Sequence, residues 1–210
     1  MSTEFYNSHT SGIKKYCDLL EEVKLRIKTV QAIVKKEVPE QPFGCTNFSE
    51  EFVFLQVRKI LELIAFGSMA SNISVYEKAH SDYQNNWRTK NILKRLEDLN
   101  KDFYPLPLKE VETQEGNRAL VNVQDGYLTK NDLVFLYDVS SKVIHAPNPY
   151  AEARKIDLKM SIDDWMHRIA SLLWFHQIKL VDSNVSWLVY LIHPETKKSQ
   201  AIQLAHANNS

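Results

Sequence analysis

Arg58 and Glu62 stand one helical turn apart in the run EEFVFLQVRKILELIAFGSMASN, residues 50–72. A guanidinium offers a planar fork of donors that suits carboxylates and phosphates. On a helix the two side chains project about 40° apart, so both point the same way. Their flanks on the wheel include Leu55, Ala65, Phe66 and Met69, all apolar. Two roles are open. The pair is a structural ion bridge tying this helix to a polar group opposite, or Arg58 holds an anionic ligand while Glu62 orients it. The structural role is favoured, because charge in an apolar surround must be neutralised by partners.

His145, Asn148 and Tyr150 form a second polar group in HAPNPY. Pro147 and Pro149 stiffen it, and an imidazole moves protons near neutral pH. The plainer alternative has His145 meeting the last carbonyls of a preceding helix. The candidate catalytic residues are therefore Arg58, Glu62 and His145. The candidate ligand-binding residues are Arg58, Asn148 and Tyr150. His176 shares an apolar face with Trp165 and Leu172, which favours a hydrogen-bonded core histidine over a ligand.

The recognisable chemistries are missing. No HExxH, paired cysteines or GxSxG occurs, so no metal, cofactor or serine nucleophile is expected. Five glycines in 210 residues leave little material for a phosphate loop. Formal net charge is zero. Residues 1–105 carry 15 Lys/Arg against 14 Asp/Glu, and residues 106–210 carry 11 against 12. That balance disfavours nucleic acid held through its phosphates. The most basic stretch, Arg88, Lys90, Lys94, Arg95 and Lys101 beside Trp87 and Tyr104, is diluted by Glu97, Asp98 and Asp102 and reads as a solvated helix face. Cys17 and Cys45 make no CxxC, which fits a reduced protein. The opening MSTEFYNSHTSG lacks the apolar core of a signal peptide, and no apolar run reaches the roughly 18 residues of a membrane span. A cytoplasmic protein with no membrane partner is expected.

The elements that must position these residues are mostly helical. Residues 1–12 read as a flexible polar lead. Ile13, Tyr16, Leu20, Val23, Ile27, Val30 and Val34 then alternate at three and four residues, an apolar seam on a helix Gly12–Lys36. Such a seam closes a helical hairpin within the chain or, alternatively, a homodimer. Asn47 and Glu50 offer a capping box for the central helix. Its end, with Gly67, Ser68, Ala70 and Ser71, permits close approach, with the stripe Tyr76, His80, Tyr83 and Trp87 as the expected neighbour. Residues 74–100 are one broken helix or two short ones, stopped by Pro105 and Pro107. A short hairpin fits 108–127. Thr129 with Asp132, and Ser161 with Asp164, cap two more helices, the second carrying Trp165, Ile169, Leu172, Leu173 and His176. Ile178–Val181, Trp187–Ile192 and Ala201–Leu204 make an antiparallel meander. The fold class is α+β: a helical bundle over 13–177 with a hairpin insertion, and a meander over 178–206 packed on it.

RKILELIAFGSMASN at 58–72, WRTKNILKRLEDLNKDFYPLP at 87–107 and HAPNPY at 145–150 resemble a group of bacterial proteins of unassigned function. That resemblance spans the chain from about residue 13 and implies a bacterial source. The architecture also resembles HEPN-type helical bundles, many of which are RNA-cleaving toxins or defence proteins. Their signature is an Arg followed by a His after four to six residues. The nearest pair here, Arg168 and His176, is separated by seven, so no catalytic assignment carries over. The leading expectation is a non-enzymatic protein that binds a partner or small ligand. The alternative is a metal-independent ribonuclease of toxin or phage-defence type, with Arg58 stabilising the phosphate and His145 transferring a proton.

Overall fold

The computed structural model describes residues 3–36, 46–146, 150, 156–180 and 185–205, with side chains of 3–9, 46, 47 and 205 left aside. The fold is α+β. Among the described residues six α-helices, α1 (Thr3–Val34), α2 (Thr46–Ser71), α3 (Ile73–Ala79), α4 (Thr89–Leu99), α5 (Lys130–Ile144) and α6 (Ile162–Leu173), pack against five strands. These are β1 (Leu106–Glu112), β2 (Arg118–Asn122), β3 (Phe175–Lys179), β4 (Val185–Tyr190) and β5 (Gln200–Ala205), joined in the order β2-β1-β3-β4-β5 with every pairing antiparallel.

The alternating seam of α1 does what its spacing predicts. Ile13, Tyr16, Leu20, Val23, Ile27 and Val30 are all buried within the chain, while Val34 at the end stays partly open. The contacts Arg26 with Gln56, Tyr16 with Gly67 and Gly12 with Ala70 run in opposite directions, so α1 and α2 form an antiparallel hairpin. The seam over Gly12–Lys36 that could have served a homodimer is thus occupied by α2 of the same chain. Gly12 is essential to this approach, since a Cβ there would lie 2.2 Å from the Ala70 carbonyl oxygen. A Cβ on Gly67 would lie 2.7 Å from the Tyr16 ring. The small-residue end of α2 is therefore met by α1, where the aromatic stripe after α2 was expected. Within that stripe Tyr76 is fully buried, but α3 stops at Ala79 and Trp87 is exposed.

The expected lead over residues 1–12 is helical from Thr3 onward. Extending an existing helix adds one hydrogen bond per residue fixed and needs no apolar seam, so the polar residues from Thr3 continue α1 without one. α2 begins at Thr46, so Asn47 already stands inside it and its proposed cap falls outside the described side chains. The capping box at Thr129 and Asp132 is present, and the Ser161 hydroxyl accepts from the Asp164 N–H at 3.1 Å.

Two corrections concern the sheet. His176 lies in β3, because α6 ends at Leu173. It follows Leu172 by four residues and precedes Ile178 by two, so it satisfies the helical and the strand period alike. The hairpin at 108–127 begins earlier, at Leu106, and is no separate insertion. β1 pairs with β3 through Leu106↔Gln177 and Pro107↔His176, so hairpin and meander form one sheet. Pro107 keeps its place by accepting, since its carbonyl takes the Val123 N–H at 2.9 Å. Strand alternation divides the sheet into two faces. Ile178, Trp187 and Val189 join the main core with the helices, whereas Leu108, Phe175 and Leu188 form a second cluster with Leu106, Tyr190 and Leu204. No helix among the described residues is long and apolar enough to cross a membrane.

Candidate functional site

α2 carries Arg58 to α5, and all three of its guanidinium nitrogens find partners there or on α2. Nε donates to Glu62 Oε1 at 3.0 Å, Nη1 to Ser141 Oγ at 2.6 Å and Nη2 to Tyr137 Oη at 2.8 Å. The guanidinium carbon also lies 4.5 Å from the centre of the Tyr137 ring. The Arg58 and Glu62 side chains keep only 15% and 23% exposure. Tyr137 and Ser141 are one turn apart on α5, so one planar fork spans that turn. The unseen partner of the α2 pair is thus a pair of hydroxyls. An incoming anion would have to compete with the carboxylate and both hydroxyls.

His145 is the C-cap of α5, with extended backbone (φ −95°, ψ 131°), and it is exposed. It stands one turn beyond Ser141 and none of the Arg58 hydrogen bonds includes it. Asn148 lies outside the described residues, and Tyr150 is 97% exposed. His167 is on the solvated side of α6, 3.6 Å from Asp163.

His176 is fully buried and doubly bonded. Its Nδ1 lies 3.0 Å from the Leu173 carbonyl oxygen, which requires the proton there, so Nε2 accepts from the Tyr16 hydroxyl at 2.7 Å. Burial pushes the imidazole down to about 4, the bond to Leu173 opposing only part of that shift. Burial also raises the Tyr16 phenol far above its ordinary range. A neutral imidazole locked between α1 and the end of α6 joins the hairpin to the sheet, as a core histidine does.

The feature that spacing could not foresee is a cleft of about 230 Å³ where the segment after α4, the start of α5 and strands β1 and β3 converge. Lys101, Lys130 and Lys179 stand on its walls with Tyr104, Tyr127 and Gln177. Lys130 pairs with Glu97, and Lys179 lies 3.3 Å from Asp102. Lys101 is exposed and has no ion-pair partner among the described residues. The Tyr104 hydroxyl is fixed on the Leu128 carbonyl at 3.0 Å, and Gln177 Nε2 on Ser186 Oγ at 3.0 Å. Burial raises the Tyr104 phenol well above its usual value, with Asp132 adding to the shift, so it stays a neutral donor. Arg58, Glu62, His145 and Tyr150 do not line this cleft. The one sequence trace of it was Lys101 beside Tyr104 at the end of the basic stretch. The rest of that stretch is dispersed: Lys90 pairs with Asp138 at 2.6 Å, and Arg95 grips Asp82 at 2.8 and 3.0 Å.

No family model, curated protein or solved structure matches the chain.

Proposed function

We propose that the chain is a non-catalytic, cytoplasmic binding protein that takes a small ligand in the cleft between β1, β3 and the start of α5. One observation carries this reading. The cleft is lined by three lysines, Asp102, two tyrosines and an amide from four separate segments, whereas the Arg58 guanidinium is engaged by its own chain. A concave site with a few convergent polar groups is the usual form of a small-molecule site. Among the described residues Cys17 makes no disulfide, and burial pushes its thiol up to about 11; Cys45 lies outside the described residues. The test is a thermal-shift screen of small molecules on the wild type and on Tyr127→Ala. Ligands that raise Tm in the wild type lose their effect in the variant. A screen without a stabilising compound, or effects that survive the substitution, would contradict the reading.

A ribonuclease using Arg58 and His145 is the second reading, favoured by one observation: Ser141, which Arg58 holds, lies one turn before His145. Metal-free incubation with single-stranded RNA tests it. Cleavage lost in His145→Ala supports the nuclease, and intact RNA removes it.

A further inference from the structure

We propose that the lysine-walled cleft binds a compact phosphate-bearing anion, an inference that rests on the small-ligand reading above and names the class of ligand. The argument starts from shape. Lys101 follows α4, Lys130 opens α5 and Lys179 ends β3, so three lysines from three segments line one space, against the single lining carboxylate of Asp102. Among the described residues no arginine lines the cleft. A planar carboxylate is matched best by the planar guanidinium fork, while a tetrahedral phosphate presents oxygens in several directions to separate point charges.

The backbone adds donors at the same place. Thr129 Oγ1 accepts the Asp132 N–H at 3.1 Å, and the Asp132 carboxylate takes the Thr129 N–H at 3.2 Å. The N–H groups of Lys130 and Asn131, the first two of α5, are left without a backbone or side-chain acceptor among the described residues. Free N–H groups and the positive end of the helix dipole favour an anion there. The Asp132 charge that would oppose it is answered by Arg168 at 3.6 Å.

Charge bookkeeping gives the same sign. Glu97 and Asp102 offset two of the three lysines, leaving Lys101 in excess. Both ion pairs are solvent-exposed, and pairs of that kind contribute about 1 kcal/mol or less, so a dianion can displace the carboxylates. Size limits the guest. At about 230 Å³ the cleft lies below the usual range of roughly 300–1,000 Å³ for drug-sized ligands. A phosphomonoester or pyrophosphate group fits that limit.

The experiment is a titration of the full ¹⁵N-labelled chain with sodium pyrophosphate, and with a panel of neutral fragments, followed by amide shifts. Pyrophosphate should give saturable shifts at Lys101, Lys130, Asn131 and Lys179. Lys101→Ala should weaken that binding about tenfold, the loss of one charge-assisted contact. Lys94→Ala, an exposed lysine on α4 outside the cleft, should leave it unchanged. Absent shifts, shifts spread over surface lysines generally, or equal loss in both variants would overturn the proposal. If neutral fragments shift the cleft amides and pyrophosphate does not, the anion is wrong and the small-ligand reading stands. If neither binds, both fall.

Discussion

The Arg58 cluster and the lysine cleft each gather charge and hydroxyls, yet they differ in what they leave unpaired. At Arg58 each guanidinium nitrogen has a partner from α2 or α5. At the cleft Lys101 and the first N–H groups of α5 have no partner among the described residues, and the other lysines hold only exposed partners. Charges whose partners are internal stabilise a fold, and removing one leaves the others unsatisfied. Charges facing an open space contribute little to folding and are available to a ligand. Substitutions separate the two cases.

The largest effect is expected where the scaffold has no room. Gly12→Val places a side chain against the Ala70 carbonyl and pushes α1 from α2, costing about 3 kcal/mol in urea denaturation, the upper range of overpacking. A cost below about 1 kcal/mol would mean that the helices part easily, and would loosen the frame that fixes Arg58.

Acid comes next and sharpens the internal side of the comparison. His176 has a folded pKa of about 4 against an ordinary 6.5, so the unfolded chain takes its proton first as pH falls. Its contribution is fully present above pH 6.5 and is lost progressively as pH drops toward 4. The full loss is about 3 kcal/mol, at about 1.4 kcal/mol per pH unit. His176→Gln should flatten this segment of the stability–pH curve. An unchanged slope would show that the slope belongs to other groups.

Arg58→Ala should follow, costing about 2 kcal/mol through the orphaned Glu62 carboxylate and α5 hydroxyls. Tyr137→Phe removes one of the acceptors and should cost about 1 kcal/mol, with its effect shrinking in the Arg58→Ala background. Full additivity in that double-mutant cycle would mean the two do not interact. The smallest change is expected at Lys101→Ala, within about 0.5 kcal/mol, as for an exposed residue outside any network.

The same contrast explains what the sequence disclosed. The α1 seam was legible because each of its apolar residues repeats a local period, and that period is what buries them. The capping box at Thr129 and Asp132 was legible because its partners are three residues apart. Arg58 announced itself by its apolar flanks, though Tyr137 and Ser141 are 79 and 83 residues away. In the sequence His176 fits a helix as well as a strand, because its position obeys two periods at once, and only pairing with β4 decides between them. The single sheet was missed because β1 meets β3 across the whole length of α5 and α6. The cleft was hidden for the same reason: Lys101, Lys130 and Lys179 share no spacing and converge only through that crossing.

Urea denaturation of Arg58→Gln beside Lys101→Gln tests the central distinction most directly. Both substitutions remove one positive charge and keep a polar side chain. The account predicts that Arg58→Gln loses about 2 kcal/mol while Lys101→Gln stays within about 0.5 kcal/mol of the wild type. Equal losses, or a larger loss at Lys101, would contradict it, because the cleft lysine would then be part of the scaffold and Arg58 would be free to serve a ligand.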